Sequence, residues 1–437
     1  MANILIVSGS YFPYASANAV CVKKFEDALK ARGHKVIYAI KKRNISQPDK
    51  EVINDCDIYY VAKTSDLFFQ TIKQLRGMKL PGKMNKAFEM SFSVFRVLNK
   101  AFSVMLRKDM HNEASEAYWN DYAKVLKSII EEDHIDLVVS VSVPFDSHIA
   151  VLRAFNMIEE SKRPKWMTYC IDAYSTKINI TPEDAARKKK QEDEIYSVCD
   201  NILYLDVVEQ NYMTEDFADY HHKMSALPLP TLDLSELEEY DGGFKKTEGK
   251  INIVFVGSML DGTRDAGYFV KMIDALDDEN ICLHIMGNIH KNNLEQLTKL
   301  AERSKSEIHI SGRVPFEYGM SAVQQADITF NIGDIDESSI PSKVIEYMKR
   351  LKPVIHFYRV PGDRGASLLK DYPLALSIYE DESLDEENVA KLRKFIAEAK
   401  DMSITMEELR EIYAESESQT VCKKFCDLAE GMIAEKK

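Results

Sequence analysis

The chain contains no Cys-x-x-Cys pair. Its seven cysteines, Cys21, Cys56, Cys170, Cys199, Cys282, Cys422 and Cys426, are odd in number and scattered. That usage argues against a disulfide framework or a zinc site and fits a reducing compartment. There is no basic excess either. With 57 Lys and Arg against 70 Asp and Glu the net charge is −13, which excludes a general nucleic-acid binder. No apolar stretch approaches the ~20 residues of a membrane-spanning helix. Met1–Val7 has neither the basic start nor the apolar length of a signal peptide, so a cytoplasmic protein is expected. No internal repeat of fixed period is present. Ser8-Gly9-Ser10-Tyr11 stands where a Gly-x-Gly-x-x-Gly would follow a first strand, which disfavours a dinucleotide-dependent dehydrogenase.

What is present is 437 residues of ordinary globular composition, 45% hydrophobic and 29% charged, enough for two large α/β domains. Short apolar runs alternate with longer helical patterns, the signature of βαβ units. Strands are expected at 3–8, 35–40, 135–142, 166–171 and 201–205, with a helix over 18–32 stopped by Arg32-Gly33-His34. A second series begins at Ile251, with strands at 251–257, 281–287, 308–312, 327–332 and 353–357. Helices are expected at 268–276, 291–304, 318–325 and 342–350. The prolines of Leu227-Pro228-Leu229-Pro230 and the acidic run to Gly242-Gly243 mark a break. The expected domains are 1–228, a linker over 229–249, a domain over 250–405, and C-terminal helices over 406–437 that pack back on the first domain. The ligand is expected outside the carboxyl ends of the strands.

The most informative segment runs from Gly312 to Phe357. It contains Gly312-Arg313-Val314-Pro315, then Pro341-Ser342-Lys343-Val344-Ile345-Glu346-Tyr347, then Lys352-Pro353-Val354-Ile355. Pro341 suits the first turn of a helix, and Ser338, Ser339 or Ser342 is placed to cap it. A loop opening a helix this way presents unpaired N–H groups and a positive dipole end, a match for a diphosphate. Glu346, about one turn further on, can accept two hydrogen bonds from a ribose diol.

This segment resembles the donor half of GT-B glycosyltransferases of the family 4 type, and the resemblance extends over most of the chain. Ile4–Ala17 looks like the family's first strand and acceptor loop, Asp136–His148 like its Asp-x-x-x-Ser-x-x-Pro…His stretch, Asp172 like an aspartate after the next strand, and Gly257-Ser258…Arg264 like the loop opening the donor domain. The resemblance implies two Rossmann-like doubly wound domains facing each other across a cleft. It implies an enzyme moving a sugar from a nucleotide-diphosphate sugar to a saccharide or lipid-linked acceptor, in surface polysaccharide or glycoconjugate assembly, with retention. The nucleotide sugar is a substrate, and neither cofactor nor metal is implied. Gly257, Ser258 and Arg264 would meet the diphosphate, the backbone at Arg313 and Val314 the nucleobase, and Glu346 the ribose. Ser338, Ser339, Pro341, Ser342 and Lys343 would line the phosphate end. His148 and Asp172 would be the catalytic pair, with Ser10, Tyr11 and Ser16 on the acceptor loop.

The sequence also departs from the family pattern. Ser338 stands where many members carry the first of two glutamates spaced by eight, with Glu337 one step out of register. The lysine that often follows the loop arginine by five or six residues is replaced by Phe269 and Val270, leaving Lys343 as the substitute cation. These departures keep two other readings open: a nucleotide-sugar epimerase, and a non-catalytic subunit of a polysaccharide-assembly complex. Each candidate also has a plain structural alternative. Glu346 and Arg264 are of a kind usually solvated, a lone His148 is usually structural, and Asp172 can cap the next segment. Asp334-Ile335-Asp336 matches an Asp-x-Asp metal motif that is common by chance, and no metal is assigned to it.

One segment carries charge of its own. Residues 67–108 hold nine basic residues, among them Arg96, Lys100, Arg107 and Lys108, against Glu89 alone. Phe92, Phe95, Leu98 and Phe102 recur there at helical spacing. A basic amphipathic helix of this kind fits peripheral contact with an anionic membrane, at the inner face of the cell membrane. The alternative is an aromatic face packed on the first sheet beneath a solvated basic face.

Overall fold

A computed structural model describes residues 1–9, 11, 17–42, 47–62, 116–142, 144–176, 180–234, 237–335 and 342–436. Two compact units emerge, Met1–Leu229 together with Val421–Lys437, and Pro230–Thr420. Each is built on one sheet.

The strands of the first unit are β1 (Asn3–Ser8), β2 (Lys35–Lys41), β3 (Lys50–Ile53), β4 (Cys56–Val61), β5 (Leu137–Val141), β6 (Lys165–Cys170), β7 (Asn201–Tyr204) and β8 (Met224–Ala226). Their order is β3-β4-β2-β1-β5-β6-β7-β8. All pairs are parallel except β3 with β4. Ile4–Val7 and Leu137–Val139 are buried, as strands covered by helices on both faces must be. The helix Ala17–Ala31 ends where the N–H groups of Gly33 and His34 turn back to the carbonyls of Lys30 and Leu29, with Gly33 left-handed at φ +83°. The β3–β4 hairpin was absent from the sequence expectation. Its two-residue turn, Asn54-Asp55, holds both residues at positive φ, 50° and 60°, and so uses side chains that tolerate that region in place of glycine. At the C-terminus, Phe425 of the helix Ser418–Lys436 stacks on Phe25 at 4.2 Å, and Arg32 Nη1 reaches Asp427 at 2.7 Å and Glu430 at 2.9 Å.

The second unit is a six-stranded, wholly parallel sheet: β9 (Ile251–Met259), β10 (Ile281–Ile289), β11 (Glu307–Gly312), β12 (Ile328–Ile332), β13 (Val354–Tyr358) and β14 (Ala375–Tyr379), in the order β11-β10-β9-β12-β13-β14. Alternate residues of β9 serve opposite faces. Ile253 and Phe255 enter one apolar cluster, where Phe269 stacks on Phe330 at 4.2 Å, and Val254 enters the other with Val344, Tyr347 and Leu409. Among the described residues no helix is long and apolar enough to cross a membrane.

Of the stretch expected as a linker, 229–249, the residues from Pro230 on belong to the second unit. Leu232, Leu234 and Phe244 are buried in its core, and a side chain at Gly242 would lie 2.3 Å from the Glu317 carbonyl oxygen. Three apolar residues set among prolines and acids are enough to anchor it. The helix Met406–Ile412 also stays with the second unit, through Leu409 and Tyr413.

β9 and β10 come together most tightly at their carboxyl ends, where Gly257 pairs with Gly287. Gly287 has φ +131°, and a Cβ there would sit 1.7 Å from the Gly257 carbonyl oxygen. Gly33, also left-handed, has open space around its missing side chain. Gly287→Ala is therefore expected to cost at least ~3 kcal/mol and Gly33→Ala about 1–2 kcal/mol. Urea denaturation midpoints measure both, and equal losses would show that contact at Gly257 is not what makes Gly287 necessary.

Candidate functional site

In the second unit the sheet reverses its direction of growth between β9 and β12. Connections on the two sides of such a point leave on opposite faces and open a crevice at the carboxyl ends. A cavity of about 60 Å³ lies there, lined by Arg264, Gly333, Asp334, Ser342, Lys343 and His356 among others.

Each wall has a local cause. Arg264 sits in the loop after β9, where the Asn293 side chain donates to its carbonyl oxygen at 3.4 Å. Its Nε donates to Asp334 Oδ2 at 2.9 Å. The Ile335 N–H donates to the Thr263 carbonyl at 3.2 Å, tying the loop after β12 to the loop after β9. Gly333 is a close approach, since a Cβ there would lie 2.3 Å from Asp363 Oδ2. Ser342 opens the helix Ser342–Lys349 with its side chain exposed. Lys343 follows, half-buried with its Nζ 5.9 Å from the Phe316 ring. Burial pulls its pKa down, against the opposing pull of Glu346.

The floor is a group the sequence reading did not include. His356 on β13 is fully buried, and its Nε2 lies 2.7 Å from Asp363 Oδ1. Asn331 Nδ2 donates to His356 Nδ1 at 3.0 Å, which leaves the ring proton on Nε2 for Asp363. Asp363 also accepts from the Ala366 N–H at 2.8 Å and so caps the helix Arg364–Leu369. A Cβ on Gly365 would lie 2.5 Å from the His356 ring. The signal available was the turn-rich Pro361-Gly362-Asp363-Arg364-Gly365 directly after an expected parallel strand, a site position in such sheets.

The cavity therefore unites Arg264, Ser342 and Lys343 from the expected set. Glu346 lies one turn further along the same helix, a third exposed and 3.6 Å from Lys349 Nζ, and does not line it. Gly257 and Ser258 lie in the last third of β9, paired with Gly287 and Asn288. Arg313 is exposed beyond β11, while Val314 packs against the core. Ser338, Ser339 and Pro341 lie outside the described residues, as do Ser10, Ser16 and the insert 67–108.

In the first unit, Asp172 follows β6 at its carboxyl end, half-buried, with its carbonyl accepting from Tyr212 at 3.3 Å. His148 is a different matter. It is 0% exposed, its Nδ1 lies 2.7 Å from Ser140 Oγ, and that oxygen accepts from Trp166 Nε1 at 2.8 Å. Burial lowers its pKa to about 3, so it is a neutral core residue. Its surroundings among the described residues match the plain structural alternative. Tyr11 is likewise buried, edge-on to Tyr38 at 4.7 Å. Glu192, on the helix Pro182–Val198, is fully buried, and neither carboxylate oxygen has a hydrogen-bond partner among the described residues. Desolvation pushes its pKa up to about 7, although Ser175 close by opposes the rise.

The whole chain superposes on known structures. It matches the sucrose-phosphate synthase of Thermosynechococcus elongatus at 12% identity over 100% of both chains, with a TM-score of 0.63. A glycosyltransferase from Rickettsia africae matches at 12% identity and TM-score 0.60, over 99% of this chain and 98% of that one. A TarM variant from S. aureus, solved with UDP, matches at 10% identity and TM-score 0.52, over 98% and 99%. The fold is the GT-B fold. No protein-family model matches the chain, and no curated protein matches it. At these identities the likeness establishes architecture, and the GT-B frame leaves function to the site itself.

Within this frame Glu192 makes a measurable prediction. Its folded pKa lies above the unfolded value of about 4.3, so the folded protein keeps a proton there that the unfolded chain has lost. The stability it contributes is complete below the unfolded value and is lost as pH rises through about 7. Glu192→Gln should match the wild type near pH 4 and exceed it near pH 8 by on the order of 3 kcal/mol. Paired thermal melts cancel the opposing contribution of His148, and a pH-independent difference would rule out the neutral acid.

Proposed function

We propose that this chain transfers a sugar from a nucleotide-diphosphate sugar to a saccharide or lipid-linked acceptor. The observation that carries the reading is the cavity at the β9–β12 switch point, where Arg264, Lys343 and the first residue of the helix Ser342–Lys349 converge.

The chemistry follows from the charges. Lys343 makes no ion pair among the described residues, and its partial burial leaves it poorly compensated by water. An entering diphosphate supplies the missing anion. Arg264 is held by Asp334, so the diphosphate must compete with that carboxylate for one edge of the guanidinium. Both cations and the helix N–H groups then act on the oxygens where negative charge grows as the glycosidic bond to the nucleotide breaks. The buried His356–Asp363 pair fixes the floor beneath them and is a positioning element. Glu346 takes the ribose diol, and the backbone at Arg313–Val314 takes the base. Asp172, at the carboxyl end of β6, is the acceptor-side acid or base. The expected setting is surface polysaccharide or glycoconjugate assembly, with retention of configuration. The UDP in the TarM structure makes UDP the first nucleotide to try.

A thermal-shift screen with UDP, GDP and ADP is the direct test, because a ligand that binds only the folded state raises Tm. At least one nucleotide should do so. Arg264→Ala, Lys343→Met and Glu346→Ala should each weaken it about 10-fold, near 1.4 kcal/mol. Release of free nucleotide from the corresponding nucleotide sugar then reports turnover. Binding without turnover selects the non-catalytic subunit, and the absence of any shift removes the donor site.

A further inference from the structure

The amino ends of β10 and β11 carry a second constellation, built by strand register. Cys282 and His284 are two residues apart on β10, so their side chains leave the same face. In the parallel pairing Cys282 lies opposite Glu307, and His284 lies opposite His309. Two adjacent cross-strand pairs thus set a thiol, two imidazoles and a carboxylate in a square on one face of the sheet edge. Cys282 Sγ lies 3.3 Å from His284 Nε2, the two imidazole rings stack at 5.2 Å, and His309 Nε2 lies 2.6 Å from Glu307 Oε1. One ligand atom each from Cys282, His284 and His309 falls within 4.8 Å of the others.

We infer that Cys282, His284 and His309 form a Zn²⁺ site, with Glu307 closing the fourth position. A thiolate with two imidazoles is the donor set that selects zinc over magnesium or calcium. Zn–N of about 2.0 Å and Zn–S of about 2.3 Å in a tetrahedron put ligand atoms about 3.3–3.8 Å apart. The Cys282–His284 separation already approaches that. The remaining closure falls to His309, whose side chain is exposed and has room to turn. Charge balances as well: the dication meets one thiolate and one carboxylate, and both imidazoles are neutral.

Three local contacts must change, one of them the His309 Nε2–Glu307 Oε1 contact at 2.6 Å, which opens as both residues turn to the ion. His284 Nε2 lies 2.9 Å from Asn252 Oδ1, to which it donates in the free protein, so binding moves the ring proton to Nδ1. The thiol of Cys282, 3.2 Å from Thr247 Oγ1, gives its proton to solvent. Glu307 keeps Lys250 on Oε2 at 2.9 Å and turns Oε1 toward the metal. Metal entry is from the side of His309, since Cys282 and His284 are buried. The ion would pin the edge strand β11 to β10, at the opposite end of the sheet from the Arg264–Lys343 cavity. The expectation of no zinc site rested on Cys-x-x-Cys spacing, which detects knuckle loops and is blind to ligands paired across strands.

The test uses the full chain, reduced and stripped with chelator, with Zn²⁺ and Co²⁺ as the probes. The wild type should bind one equivalent of Zn²⁺ by calorimetry, with a rise in Tm. Co²⁺ should give a thiolate-to-cobalt charge-transfer band and the visible bands of a tetrahedral ion. Cys282→Ser should abolish the charge-transfer band. His309→Ala, an exposed change that leaves the core alone, should weaken Zn²⁺ at least 10-fold and remove the Tm rise. Cys422→Ser should behave as wild type. Binding of less than one equivalent, a missing charge-transfer band, or a band and affinity retained in His309→Ala would each overturn the site.

Discussion

The reversal of strand order between β9 and β12 is the constraint from which the site in the second unit follows. In a parallel sheet every strand runs the same way, so every connection that reaches a helix starts at the same end. At the reversal two neighbouring connections diverge to opposite faces and leave a gap that no side chain is obliged to fill. Arg264 hangs from one side of it, and Gly333 and Asp334 from the other. The chain must then come unusually close to itself. Gly257 against Gly287, Gly333 against Asp363 and Gly365 against His356 are all approaches that a Cβ would block. The cavity is shaped by missing side chains as much as by those present.

The charged groups divide according to how they meet the cost of leaving water. In the cavity, Arg264 shares its charge with Asp334, and Asp363 is satisfied by His356 and the Ala366 N–H. Such groups stay polar at modest cost because each desolvated atom has a partner. Lys343 is the exception: it makes no ion pair among the described residues, and a cation so placed beside a helix start is what an anionic ligand completes. The first unit solves the same problem in the other way. His148 and Glu192 are both fully buried, and both favour the neutral form: the histidine stays unprotonated at neutral pH, and the carboxyl keeps its proton up to about pH 7. Neutral buried groups stabilise a fold, while incompletely paired charged ones are poised to bind.

Much of this was legible from the sequence for a simple reason. Continuous apolar runs such as Ile4–Val7 and Val254–Val256 belong to strands buried on both faces, and these announce themselves without alternation. The elements missed were of another kind. β3 and β4 are joined by Asn-Asp where a glycine turn would have been read, β8 is three residues long, and β14 alternates weakly at the sheet edge. Site residues followed the same division. Ser342 and Lys343 sit in a motif with a helix-start signature, and both line the cavity. His356 and Asp363 depend on a contact seven residues apart across a turn, which no periodicity reports. For His148 the motif position says nothing of depth, and Ser140 and Trp166 lie against its ring.

Strand register makes the two ends of the second sheet chemically unlike. Helices in such a unit run back against the strands, so their positive ends gather at the carboxyl edge and their negative ends at the amino edge. The carboxyl edge holds the start of Ser342–Lys349 beside Arg264 and Lys343, a setting for an anion. At the amino edge the helix Gly267–Leu276 ends before β10 and the helix Lys291–Arg303 ends before β11. Both helices pack on the face of Ile281, Leu283 and Ile285, opposite the face from which Cys282 and His284 project toward Phe244. A dication at that edge would be held by its ligands and not by the helix ends, which lie across the sheet from it. The carboxyl edge thus offers an anion the positive end of a helix, while the amino edge offers a metal what strand register sets side by side, and both follow from a single choice of strand direction.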